Sequence, residues 1–99
     1  MGKTNNHNQL NRQSRRSKFE IWSEILEICT QTSRTQSWLR RNLGLKTTTF
    51  KDAMNFLLAR DLIRTVNEFE QIEYLTTEKG EQALFQYYSL ITKFFTKGT

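Results

Sequence analysis

Ninety-nine residues with a formal net charge of +5 and no proline suit one domain with a modest core. No apolar run approaches the roughly 18 residues that a membrane-spanning helix needs, and a single cysteine excludes an internal disulfide, which fits a reducing, cytoplasmic setting. The charge is segregated into a basic N-terminal stretch, a basic middle and an acidic later section, a pattern that steers polyanions.

Residues 1–17 are mostly Asn, Gln, Ser, Arg and Lys, with Leu10 the only large apolar side chain after Met1. They cannot bury enough surface to offset ordering entropy and read as a disordered basic arm. The arm lacks an apolar h-region, which excludes a secretory signal. Lys3, Arg12, Arg15 and Arg16, with Lys18, supply the whole net charge, because ten cations balance ten acids beyond Lys18. Arg12, Arg15 and Arg16 are therefore candidates for tracking phosphates. His7 has no Cys, His or carboxylate cluster beside it, so no metal site is expected.

A first helix is expected from about Lys18 to Gln31. Ser17 can cap it, and Glu20 completes a capping-box spacing. Ile21, Trp22, Ile25, Ile28 and Cys29 share one side, while Glu20, Glu24 and Glu27 form a solvated face. Ser33 to Gln36 suits either a short extended segment or a second capping site. A short second helix follows, roughly Gln36 to Asn42, with Trp38, Leu39 and Leu43 inward and Arg40 and Arg41 exposed. Gly44 supplies the turn, since it takes positive φ without a Cβ penalty.

Lys46 to Arg60 then organises the rest. Its threonines are favoured helix N-caps, and Phe50, Met54, Leu57 and Leu58 make an amphipathic stripe. The other face carries Thr47, Thr48, Lys51 and Asn55, with Thr49 peripheral. Asn pairs with adenine, Lys with guanine and a Thr methyl with thymine, so this helix, about 47–60, suits a DNA major groove. A short helix, a Gly turn and a second amphipathic helix have helix-turn-helix spacing. The basic segment 34–51 holds Arg34, Arg40, Arg41, Lys46 and Lys51 without a carboxylate. Arg34, Arg40, Arg41 and Lys46 are the candidate phosphate contacts.

Asp61 to Val66 and Ile72 to Thr76 read as two strands joined by Asn67–Gln71. Three helices and a hairpin have the order of a winged helix. Glu68, Glu70 and Glu73 make the wing acidic, so it either stands off DNA or contacts something else. A last helix is expected from about Thr77 to Phe95, about 30 Å long. Leu84, Tyr87, Tyr88, Ile91, Phe94 and Phe95 form its apolar stripe, widened by Phe85 and Leu90. The preferred reading pairs this stripe with its copy across a homodimer; the alternative folds it back on the first helix.

Thr35-Gln-Ser-Trp-Leu-Arg-Arg-Asn-Leu43, the Phe50…Met54…Phe56-Leu-Leu58…Leu62-Ile63 pattern and Tyr74-Leu-Thr-Thr-Glu-Lys-Gly80 resemble archaeal winged helix-turn-helix proteins. The likeness spans about residues 18–95. It is similar to small archaeal chromatin and regulator proteins whose last helix forms a coiled-coil dimer. The resemblance implies a homodimeric, nucleoid-associated, cytoplasmic DNA binder. The acidic wing and an extra residue around Gly44–Lys46 depart from the family pattern and leave wing contacts and helix register open.

The expected fold class is thus mainly α with a small β-hairpin (α+β), a winged helix-turn-helix plus a long C-terminal helix. The expected organisation is an arm over 1–17, the winged domain over 18–76, and a dimerisation helix and tail over 77–99. The expected partners are double-stranded DNA and a second copy, with no membrane. A protein-interaction module, using the acidic wing and the aromatic last helix, is the alternative. No catalytic site or cofactor is expected: Cys29 has no His partner, and neither a Gly-rich phosphate loop nor a metal-spaced ligand set is present.

Overall fold

The structure, a computed structural model, describes residues 16–67 and 69–95. Most of the expected 1–17 arm, including Arg12 and Arg15, and Glu68 of the wing therefore lie outside the described residues.

Helix α1 (Lys18–Ile28) begins at a complete capping box. The Glu20 amide donates to Ser17 Oγ at 3.1 Å, and the Ser17 amide donates to Glu20 Oε1 at 2.8 Å. The helix stops three residues short of the expected Gln31. Its last carbonyls have other partners. The Cys29 carbonyl accepts from the Thr76 amide at 2.9 Å, and the Leu26 carbonyl accepts the hydroxyls of Thr30 and Thr76, each at 2.7 Å. Thr76, buried at the end of the wing, thus fastens the wing to the end of α1.

Strand β1 (Arg34–Thr35) leads directly into α2 (Gln36–Leu43), whose N-cap is Thr35. Both readings of Ser33–Gln36 hold: Arg34 and Thr35 pair with Tyr74 and Glu73, while Thr35 Oγ1 accepts from the Trp38 amide at 3.2 Å. Gly44, at φ 65°, closes α2 in the left-handed conformation. Helix α3 (Thr47–Ala59) starts from Lys46 as N-cap, which makes no side-chain cap bond. The threonines expected as caps sit instead in the first turn, because the Phe50 amide already bonds the Lys46 carbonyl at 2.9 Å.

Helix α3 ends in two bonds of the Schellman type, Leu62 amide to Leu57 carbonyl at 2.9 Å and Asp61 amide to Leu58 carbonyl at 3.0 Å, with Asp61 at φ 62°. Strands β2 (Ile63–Val66) and β3 (Glu73–Thr76) then pair antiparallel, Ile63 opposite Thr76 and Val66 opposite Glu73. The sheet order is β1-β3-β2, so the expected hairpin is the larger part of a three-stranded sheet. Among the described residues, four helices and this small sheet make an α+β winged helix.

Helix α4 (Glu78–Phe94) is capped by Thr77, whose hydroxyl oxygen accepts from the Gly80 amide at 2.9 Å and whose proton goes to the Asp61 carbonyl at 2.7 Å. Gly80 is buried where α4 crosses the start of β2: a Cβ there would stand 2.1 Å from the Leu62 carbonyl oxygen and 2.7 Å from Thr76 Cγ2. The core joins Ile21, Ile25, Leu26 and Cys29 of the α1 region to Leu39, Phe50, Met54, Leu57 and Ile63. Burial pushes the Cys29 thiol up to about 12, which leaves it a small inert hydrophobe.

Candidate nucleic-acid interface

Helix α3 divides cleanly into two faces. Phe50, Ala53, Met54 and Leu57 are buried, and Thr47, Thr48, Lys51 and Asn55 are exposed on the other side. Thr49 is half-buried and lines, with Lys18, Trp22 and Asp52, a cleft between α1 and α3. The exposed face therefore presents two hydroxyls, an ammonium and a carboxamide from the first three turns of one rigid helix.

Three cations at the α2–α3 corner have different settings. Arg41 and Lys46 are exposed, the second at the start of α3. Arg40 is half-buried, and its Nε is buried without a hydrogen-bond partner. Arg34, on β1, lies with its guanidinium carbon 4.0 Å above the Trp38 ring, and its Nε is likewise buried and unpartnered. The stacking holds that planar fork against α2, a geometry lysine could not reproduce.

Arg16 behaves differently from the expectation of a free arm residue. Its guanidinium donates to the Glu24 carboxylate and, at 2.7 Å, to the carbonyl of Leu43. It ties the segment before α1 to the end of α2. Glu24, expected on a purely solvated face, is half of that tie. Sequence spacing carries no sign of it, because Leu43 lies 27 residues away.

Orientation of α3 relative to α1 comes from an aromatic stack that spacing also does not disclose. The Trp22 and Phe56 rings lie parallel at 3.7 Å, Phe19 meets Trp22 edge-on at 5.2 Å, and Arg60 covers the Phe56 ring at 3.8 Å. The stack fixes the turn of α3 whose outward side carries Asn55.

The wing carries its charge in two ways. Glu73 accepts from Ser33 Oγ at 2.5 Å and from Asn67 Nδ2 at 2.9 Å, and these two bonds hold its carboxyl below the usual range. Glu70 is exposed, beside Phe69 at 96% exposure and Ile72 at 50%. Glu73 is thus a clamp between β1 and the wing, whereas the tip is apolar as well as acidic.

Helix α4 packs on α1, as the fold-back alternative has it. Leu84 packs against the core, and Tyr87 is half-buried in a cleft between α1 and α4. Tyr88 donates to Glu27 Oε1 at 2.5 Å, and this bond, with burial and the carboxylate charge, pushes its phenol up to about 12. Ile91, Phe94 and Phe95 remain exposed, as do Phe85 and Leu90. The stripe read as one dimer surface is therefore split. Leu84 and Tyr87 pack within the chain itself, and Ile91, Phe94 and Phe95 at the end of the helix stay exposed. Among the described residues no helix is long and apolar enough to cross a membrane.

Comparisons with known proteins agree with this geometry. The family model described as winged helix-turn-helix matches residues 15–94. Among solved structures, the transcriptional repressor BigR from Xylella fastidiosa superposes with a TM-score of 0.62 at 15% identity, over 91% of this chain and 87% of that one. A cysteine-to-serine variant of Lactococcus lactis ZitR, in complex with DNA, gives 0.54 at 20% identity over 76% of this chain. The chain spans only 61% of ZitR's length. At such identities the likeness is one of fold. No curated protein matches the chain.

Proposed function

The chain belongs to the winged helix-turn-helix family, and we propose that it is a transcriptional regulator that binds duplex DNA through the outer face of α3. The observation that carries this reading is the division of α3: its apolar side is buried in the core, and Thr47, Thr48, Lys51 and Asn55 stand exposed together. Lys51 suits a guanine edge, Asn55 an adenine edge, and the threonine methyls a thymine. Arg41 and Lys46 flank them as phosphate contacts, with Arg34 and Arg40 offering their guanidinium N–H groups from more fixed positions. Arg12 and Arg15 extend the basic track along the backbone. Arg16 serves by fastening α1 to α2 rather than by reaching DNA.

The DNA-bound ZitR structure and the description of BigR as a transcriptional repressor support the same reading by likeness of fold. We further propose that residues 18–76 form the DNA-binding unit and that the end of α4 pairs with a second copy at the nucleoid. Exposed Ile91, Phe94 and Phe95 support that pairing, since a surface of this kind is rarely left to water. Sedimentation of the full chain tests it: the dimer dissociates on Phe94→Asp, and a wild-type chain that sediments as a monomer at all concentrations contradicts it.

Duplex-binding assays with α3-face variants test the DNA reading. Lys51→Ala and Asn55→Ala should weaken preferred-site binding by about 1–3 kcal/mol each. A second reading, a protein-interaction module, is favoured by the wing tip, where an almost fully exposed Phe69 adjoins Glu70 and Ile72. Under it, Phe69→Ser and Glu70→Lys would abolish a complex and leave DNA affinity unchanged.

A further inference from the structure

A cleft of about 110 Å³ lies where α1, α3 and α4 meet, its lining including Trp22, Leu26, Phe56, Leu57, Ala83, Leu84 and Tyr87. We propose that it is a binding site for a small uncharged aromatic molecule, one the size of benzene. Three observations converge on that class of ligand. No charged side chain lines the cleft, and the hydroxyl proton of Ser23, which borders it, is held by the Glu20 carbonyl at 2.9 Å. An ion entering would lose its hydration without a counter-charge. The walls offer aromatic rings already set in order, with Trp22 parallel to Phe56 and Phe19 edge-on to Trp22. With the faces of Phe56 covered by Trp22 and Arg60, a bound ring meets the edges of the stacked pair, the edge-to-face contact that aromatic groups favour. The volume is also of the same order as the roughly 150 Å³ of an engineered apolar cavity that takes up benzene.

The position of the cleft gives occupancy a consequence. Phe56 and Leu57 line it from α3, and the outward side of the same turn carries Asn55. A ligand wedged between α4 and α3 presses on the stack that sets the rotation of α3. Resting on the proposed DNA reading, occupancy therefore changes affinity for DNA.

Two readouts separate the site from its consequence. Benzene is titrated into the full chain without DNA while the indole N–H resonances of Trp22 and Trp38 are followed. Saturable shifts at Trp22, with Trp38 unmoved, are expected, and benzoate, the charged counterpart, should give none. Ala83→Leu, which adds apolar bulk to the lining, should weaken benzene binding by about tenfold or more. Failure of benzene to saturate the wild type overturns the site, and so does equal binding of benzoate. The benzoate comparison needs no variant, so it decides even if Ala83→Leu does not fold. DNA affinity with and without saturating benzene is the second readout: an unchanged value overturns the coupling. A chain that bound benzene but no DNA under any condition would overturn the coupling and the DNA reading, and leave the site standing.

Discussion

Trp22 of α1 and Phe56 of α3 lie face to face, their planes 1° apart and their centroids separated by 3.7 Å. This contact, not the buried stripe alone, sets the rotation of α3 about its axis. A helix with the same apolar residues could roll by part of a turn and still bury them, but the stacked pair admits one orientation. Trp22→Ala should destabilise the fold by about 3 kcal/mol. A double-mutant cycle with Phe56→Leu, read by urea unfolding, should return a coupling of about 1 kcal/mol. Additive effects would mean the rings contribute only by burial.

Gly80 sits at a close backbone crossing between α4 and the start of β2. A methyl group at this position meets the Leu62 carbonyl oxygen at 2.1 Å, and that carbonyl is itself held by the Thr77 amide at 3.1 Å. Alanine ordinarily favours a helix over glycine by about 1 kcal/mol. Gly80→Ala should reverse that sign and lose about 2 kcal/mol or more, because α4 must lift from β2. Thermal melting decides it, and an unchanged or raised midpoint would refute the close approach.

Glu73 links stability to pH. Ser33 and Asn67 both donate to its ionised form, so the folded pKa lies below the unfolded one. Its contribution is complete above the unfolded carboxylate range and is lost as pH falls through the lowered folded value. Glu73→Gln should therefore flatten the acid limb of a stability–pH profile between those two values and leave the neutral-to-alkaline part parallel to wild type. An acid limb as steep as that of wild type would show that the clamp contributes nothing.

Arg41 and Arg16 should part company in a salt titration. Arg41 is exposed, and Arg41→Ala should weaken binding to every duplex alike and reduce the slope of log affinity against log salt by about 1. Arg16 is occupied by Glu24 and Leu43, so Arg16→Ala should leave that slope unchanged and lower unfolding stability by about 1 kcal/mol. The opposite pattern would return Arg16 to the phosphate contacts.

What the sequence discloses follows from how local each feature is. The Ser17–Glu20 capping box, the Phe50–Met54–Leu57 stripe and the Gly44 turn depend on neighbours a few residues apart, and all three are legible. Strand β1 is only half legible, because its partner Tyr74 lies about 40 positions further along the sequence. The periodicity of α4 shows that a face is apolar but not what covers it. Leu84 turns to the chain's own core, and Phe94 and Phe95 do not. Glu73 reads as one more repelling carboxylate until the fold brings Ser33 and Asn67 to it. The exposed set on α3 is legible as a set, since alternation of faces is a local property; the stack that aims it is not.

The most direct test of the central claim is duplex-DNA affinity of the full chain across a series of salt concentrations, with an unrelated fragment and the region upstream of its own coding sequence. The account predicts binding to both that weakens linearly in log–log form as salt rises, with tighter binding to any fragment that carries a preferred site. No binding to either fragment even at low salt would contradict it.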